Sequence, residues 1–363
     1  MLDYRDHRHN PEAWAQHLGI DPDAVRLYLD SEVIDLHTDS YIWKRVAGYR
    51  LEQHHRLKPW PMPWFKRWGA PFAGQVDFPR CLEAQMAGLV WDIPTHPLRR
   101  TSEKYGRLRE NIAMILADLK RHSDQFEHVV SYADYRRARA AGKVASWISI
   151  QGGQAVDHNL HDLARIPEVH RITLVHFTRS RIGASNFDKL HAHEGLSSFG
   201  KAFVARMVEL KMLVDLAHIN RRGFFEALDV MPPDVPPIVT HTGVKGVYDI
   251  WRNIDDSQIR AVAERGGTIG AIYEANFLAK RPDRQSVVGI VDHLAHIIQI
   301  GGEDAASLGS DYDGMIRLPR DLPDITYQPR LVAEMSKRGW SETRIRKILG
   351  LNFLRVVQAV RPE

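Results

Sequence analysis

Eight short apolar runs, each followed by a stretch of helical periodicity, predict an α/β fold: a (β/α)8 barrel of TIM type. Polar residues with chemical potential close six of these runs, which places a candidate metal site at the C-terminal ends of the strands. Eight strand–helix repeats joined by short turns favour a closed barrel over an open sheet, and in such a barrel those strand ends meet on one face. No low-complexity tract, fine-period repeat or Pro/Gly/Ser-rich linker divides the 363 residues, so 1–363 reads as one domain.

Taken in order, residues 1–30 form a polar, helical lead-in: 11–18 is amphipathic, and Asp21-Pro22 has the form of a second helix start. The first strand covers 33–40. Residues 41–74 follow, with Trp43, Trp60, Trp64 and Trp68 among prolines and basic residues and with little periodicity. A loop of that length reads as a lid or pocket wall bordering the site mouth, or as a surface excursion tucked down by its tryptophans. Its Lys44, Arg45, Arg50, Lys66 and Arg67 would suit an acidic substrate or simply be solvated. The second strand is 88–93, and a helix over 105–122 carries Leu108, Ile112, Ile115, Leu116 and Leu119 at helical spacing. The third strand, 144–150, runs into Gln151-Gly152-Gly153, and the fourth covers 171–177. Helix 199–211 leads to the fifth, 213–219, and the sixth is 237–242. Helix 255–265 precedes the seventh at 267–273, helix 287–300 precedes the eighth at 306–310, and helices over 331–337, 342–349 and 352–360 close the chain.

Composition narrows the function classes. With 44% hydrophobic and 26% charged residues, the chain is an ordinary soluble globular one. A net charge of +4 is thinly spread, without the dense Lys/Arg block of a nucleic-acid groove. A single cysteine, Cys81, leaves no intrachain disulfide and fits a reducing compartment. The opening MLDYRDHRHN is polar and charged, so no signal peptide is expected; no apolar run reaches ~20 residues, and the polar end leads to no expectation of a lipid anchor. The expectation is a cytoplasmic protein with a small-molecule substrate, no nucleic-acid partner and no membrane anchor; a homodimer is compatible with all of this.

The chemistry begins at Asp35-Leu36-His37-Thr38-Asp39. Residues two apart on a strand point the same way, so His37 and Asp39 can grip one cation. In isolation such a string is as well explained by a polar strand end. Its recurrence changes the balance, because His176, His218, His241 and Asp311 each close a similar run. His218 and His241, on neighbouring strand ends, can share a cation through neutral imidazoles. Asp311 is the first acid after its strand in Gly-Ser-Asp-Tyr-Asp-Gly and is expected at the barrel mouth ahead of Asp313. His293 and His296 read as part of a packing helix, and His54, His55, His191 and His193 as solvated loop residues. Arg252 could fork onto a substrate carboxylate, although a loop arginine is more often solvated.

In order and spacing, Asp-Leu-His-Thr-Asp (35–39), Leu-Val-Asp-Leu-Ala-His (213–218), Thr-His-Thr-Gly (240–243) with Arg252-Asn253 after it, Gly-Ser-Asp-Tyr-Asp-Gly (309–314) and Asn-Phe-Leu-Arg (352–355) resemble the membrane (renal-type) dipeptidase family of zinc peptidases, in the amidohydrolase superfamily. The resemblance covers about 33–357. It implies a (β/α)8 barrel hydrolysing dipeptides and related amides at a two-zinc site. By matching position, His37 and Asp39 would hold one zinc, and His218 and His241 the other. His176 would polarise the scissile carbonyl, Arg252 would take the substrate carboxylate, and Asp311 would handle the proton of the attacking water.

At one position the chain departs from that pattern. The family's third strand ends in Glu-Gly-Gly, whose glutamate bridges the metals, whereas this chain has Gln151-Gly152-Gly153. A carboxamide offers one good ligand oxygen and no charge. Two dications about 3.5–4 Å apart repel by on the order of 15–20 kcal/mol at an effective dielectric of 20. The loss of a bridging anion therefore predicts one tight Zn2+ rather than two, held by surviving groups such as His37, Asp39, His218 and Asp311. The leading expectation is a metal-dependent dipeptidase-type hydrolase. The alternatives are a single-metal amidohydrolase of altered chemistry, of deaminase or lactonase type, and a non-catalytic binding descendant.

Overall fold

In the computed structural model, which describes residues 2–55, 73–96 and 99–363, all eight apolar runs are strands. They are β1 (Ile34–Thr38), β2 (Gly88–Pro94), β4 (Val144–Gln151), β5 (Val169–Thr173), β6 (Leu213–Asp215), β7 (Ile238–Thr242), β8 (Thr268–Ala271) and β9 (Ala306–Leu308). A further strand, β3 (Phe126–His128), pairs with β4 beside the main path and is too short for alternation to betray it in the sequence. The main path β1-β2-β4-β5-β6-β7-β8-β9 is parallel throughout. Every residue of β4 is buried, as expected of a strand with the barrel interior on one face and helices on the other.

The round is nearly closed, and its seam joins at the carboxyl ends. Asp39 N donates to Tyr312 O at 2.8 Å, and Asp311 N donates to His37 O at 3.1 Å. The stretches leaving β1 and β9 are thereby zipped together, which sets Asp39 beside Asp311.

Local chemistry sets the helices. Asn10 caps α1 (Pro11–Leu18), which stops at Gly19 with φ 65°, and Asp21 caps α2 (Pro22–Leu29). The stretch read as an aperiodic loop opens with a helix, α3 (Tyr41–Ala47), ended by Gly48 at φ 66°. Trp43 Nε1 pins α3 by donating to Asp313 O at 2.8 Å. Trp60, Trp64, Trp68, Lys66 and Arg67 lie outside the described residues, so the lid expectation rests on Trp43 alone. After α4 (Phe78–Glu83) and β2 comes α5 (Thr101–Arg121), the expected long amphipathic helix.

Five expected strand ends are too long, the first strand stopping at Thr38 rather than 40. The other ladders stop at Thr173, Asp215, Ala271 and Leu308, and beyond three of these the backbone turns through left-handed conformations at Phe177 (φ 51°), His218 (φ 65°) and Asp311 (φ 65°). Positive φ is uncommon outside glycine, least so for Asp and His, and here three such residues lie at the mouth of the barrel.

Candidate metal centre

One half of the centre is rich in carboxylates. His37 is fully buried at the end of β1, with its Nε2 3.6 Å from both Asp39 Oδ2 and Asp311 Oδ1. Behind it, Nδ1 lies 4.0 Å from Asp92 Oδ1 and 3.2 Å from Arg171 Nη2. A Cβ on Gly314 would stand 2.5 Å from Asp311 Oδ1 and 2.9 Å from Asp39 Oδ2, so only glycine leaves the two carboxylates their place. Burial works to lower the His37 pKa, yet the Asp92 and Asp39 carboxylates outweigh it and push the imidazole up to about 9. Asp311 is pushed well above the usual carboxylate range by burial, with Asp39 adding to the effect. His37 Nε2 and Asp39 Oδ1 are buried without a hydrogen-bond partner. Buried polar atoms are normally paired, so an orphaned nitrogen facing carboxylate oxygens fits a cation. Two sets of side chains, His37/Asp39/Asp92 and His37/His241/Asp311, bring ligand atoms within 4.8 Å of one another.

The other half is neutral. His218 Nε2 and His241 Nε2 stand 2.7 Å apart, and the Gln151 carboxamide nitrogen is 3.3 Å from the first and 3.4 Å from the second. Gln151 Oε1 is buried and unpartnered. The Thr240 hydroxyl gives its proton to Asp215 Oδ2 (2.8 Å), so it meets His241 Nδ1 (2.8 Å) as an acceptor. That fixes the tautomer and leaves the His241 Nε2 lone pair facing the centre. Burial drives both imidazoles well below the ordinary histidine value, and the Arg252 charge adds to this at each. Among the described residues neither makes an ion pair with a carboxylate.

A buried charge layer lies beneath both halves. Register sets Asp92 beside Ser149 and Ser149 beside Arg171 across β2, β4 and β5. Arg171 donates to Asp92 Oδ1 (2.9 Å), Ser149 Oγ (2.7 Å) and Thr173 Oγ1 (2.8 Å), and pairs closely with Asp215. Burial opposes ionisation of Asp215, but Arg171, Thr173 and Thr240 hold its carboxyl below the usual range. Sequence reasoning missed Asp92, Arg171, Asp215 and Thr240. The available signal was a charge of each sign inside apolar strand runs, and Asp215 stood within a quoted motif that was read only for its histidine.

The remaining candidates border the centre. Thr178 N donates to His176 O at 2.6 Å around Phe177, a tight turn that presents His176 to a cavity of about 560 Å³ shared with Asp39, Gln151, His218 and Asp311. Burial pushes His176 down to about 3, which makes it a neutral imidazole, and its Nδ1 has no partner. Arg252 is buried rather than solvated: Nη2 donates to His241 O at 2.6 Å and lies 3.4 Å from His218 Nε2. Burial lowers its pKa to about 10. Asp313 is buried away from the centre, accepting from Ser40 Oγ (2.6 Å) and Gln75 N (3.0 Å). His293 bonds Val244 N (2.9 Å) inside its packing helix as expected, whereas His55, read as solvated, stacks on Tyr49 at 3.5 Å.

A parallel α/β barrel with buried His/Asp groups at its carboxyl-terminal mouth defines the class of metal-dependent barrel hydrolases. Within that class the chain belongs to the membrane dipeptidase family (peptidase family M19), whose model matches residues 23–362. Membership makes it a metal-dependent hydrolase of the dipeptidase type. Solved structures share the fold. An amidohydrolase from Pseudomonas aeruginosa is 21% identical with a TM-score of 0.75, over 94% of this chain and 99% of that one. A metallo peptidase from Rhodobacter sphaeroides, liganded with a phosphinate mimic of the dipeptide L-Ala-D-Ala, is 22% identical with a TM-score of 0.77, over 91% and 99%. The metallo peptidase dipeptidase AC is 23% identical with a TM-score of 0.77, over 92% and 99%. Among the described residues no helix is long and apolar enough to cross a membrane.

Proposed function

We propose that this chain hydrolyses dipeptides with a free α-carboxylate, using one tightly held zinc in the carboxylate half of the centre. The observation that carries this is the unpartnered His37 Nε2 set 3.6 Å from Asp39 and from Asp311. His37 and Asp39 would hold the ion, with Asp311 and His241 in reach. Zinc, when bound there, supplies Lewis-acid chemistry, activating water near neutral pH and polarising a carbonyl. His218, His241 and Gln151 form a second position with no carboxylate of its own, Asp311 being shared with the first through His241, and so hold any further ion weakly.

The rest falls to the side chains. Arg252 anchors the substrate carboxylate and so fixes which amide enters the centre. His176, neutral at working pH, donates a hydrogen bond to the carbonyl oxygen as negative charge grows there, a service worth about 2.7–4 kcal/mol per donor. Asp311 accepts the proton of the attacking water and hands it to the departing amine. The altered-chemistry and binding-only alternatives rest on Gln151 alone, and membership in a dipeptidase family weighs against them.

Zinc-reconstituted protein assayed against dipeptides and their C-terminal amides tests the reading. Cleavage of the free acids is expected, and Arg252→Ala should raise KM for them by about tenfold or more while changing KM for the amides far less. Equal losses on acid and amide would remove Arg252 from its role, and no cleavage of any dipeptide by fully loaded protein would overturn the reading.

A further inference from the structure

One wall of the cavity is basic, and three of its cations have no ion-pair partner among the described residues. Arg45 on α3, Arg99 just before α5 and Lys104 in its first turn line the same cavity as Asp39, His176 and Asp311. Neighbouring cations are neutralised: Lys44 pairs with Asp118 at 2.5 Å, Arg50 with Glu52 at 3.0 Å and Arg107 with Glu110 at 2.6 Å. Among the described residues, Arg45, Arg99 and Lys104 make no ion pair; the Arg45 side chain bonds only the Tyr41 carbonyl, at 3.2 Å. Lys104 acts on Asp157 only from beyond ion-pair distance. Burial lowers the pKa of Arg45 and the like charge of Arg99 adds to this, while Asp39 and Asp92 act from further in to raise it. The 21-residue α5 opens here without a side-chain cap from Arg100, so the positive end of its dipole adds to the field, with Glu103 in the first turn working against it.

With Arg252 as the carboxylate anchor proposed above, strand order sets which end of a substrate meets this wall. β2 and β7 are second and sixth in the round of eight, so the segments leaving them face each other across the mouth. Arg252 follows β7 and Arg99 follows β2. A dipeptide whose α-carboxylate sits at Arg252 therefore points its amino-terminal residue towards Arg99 and Arg45.

We propose that the wall formed by Arg45, Arg99 and Lys104 is an anion subsite, and that the preferred substrates are dipeptides whose amino-terminal residue bears a side-chain carboxylate. This rests on the dipeptidase reading above. Charge-assisted hydrogen bonds from two guanidiniums to one carboxylate give the selectivity its source.

The test compares zinc-loaded wild type with Arg99→Gln and Arg45→Gln on Glu-Ala and Gln-Ala, alongside calorimetric binding of glutarate, a dicarboxylate that needs no turnover. Wild type should prefer Glu-Ala by tenfold or more in kcat/KM, and either substitution should cut that ratio at least fivefold and weaken glutarate to a similar degree. Arg99→Glu should reverse the preference towards Lys-Ala, a gain that a misfolded variant could not produce. If no dipeptide is cleaved but glutarate binding falls in both Gln variants, the anion subsite stands and the peptidase reading fails. A Glu-Ala to Gln-Ala ratio near one in wild type, or glutarate binding untouched by both substitutions, would overturn the proposal.

Discussion

The two halves of the centre use the same residue, histidine, in opposite electrostatic settings. Around His37 stand Asp39, Asp311 and Asp92, and the imidazole is pushed up to about 9. Around His218 and His241 stand an amide and a guanidinium, with only the shared Asp311 carboxylate within 4.8 Å of His241, and burial drives both far below the ordinary value. The first half already carries the negative charge that a dication requires, whereas the second offers lone pairs and no carboxylate of its own. Both halves bring imidazole nitrogens to the same mouth; the surrounding charge separates them.

The largest expected effect comes from removing an anion from the first half. Asp311→Asn should lower kcat/KM on a dipeptide by about 10²–10⁴, the range for losing a general base, with little change in KM. A loss below tenfold would take Asp311 out of proton transfer. Next comes the layer beneath. Arg171→Met strands Asp92 and Asp215 as buried carboxylates without their shared cation and should cost about 3–5 kcal/mol in denaturant unfolding. A cost under about 1 kcal/mol would mean that these acids are protonated and that the layer is not ionic.

A smaller effect separates the halves by pH. In metal-free protein His37 has a folded pKa raised from 6.5 to about 9, so its contribution is complete below 6.5 and is lost as pH rises through about 9. That interval corresponds to about 3 kcal/mol. His218 and His241 have depressed folded values, so theirs is present above 6.5 and is lost as pH falls. Metal-free protein should therefore be most stable near the unperturbed histidine value, and zinc should flatten the alkaline limb because a ligated imidazole takes no proton. An alkaline limb that is flat without metal would contradict the raised His37 value.

How much of this the sequence reveals depends on the kind of signal. The barrel was legible because eight strand runs alternate with helices at a period that length and composition cannot mimic. The candidate site positions stood out because each closes a run, and the fold gathers His37, His176, His218, His241 and Asp311 at one mouth. Strand ends were misjudged at His176, His218 and Asp311, since a side chain entering the mouth requires the backbone to leave the ladder, and hydrophobicity does not record that turn. The charge layer was hidden for a related reason. Arg171 and Asp92 are tolerable inside a barrel only as partners, and one strand read by itself does not show the partner on the next. The neutral wall around His218 and His241 was visible only as one letter, Gln151.

The most direct test of the central claim counts metal per chain by elemental analysis after equilibration with buffered zinc, for wild type and for Gln151→Glu. The substitution adds one ligand oxygen and one negative charge to the neutral half at nearly constant shape. The electrostatic account predicts about one tight ion in wild type and close to two in the variant. Two tight ions in wild type, or a count that Gln151→Glu leaves at one, would contradict it.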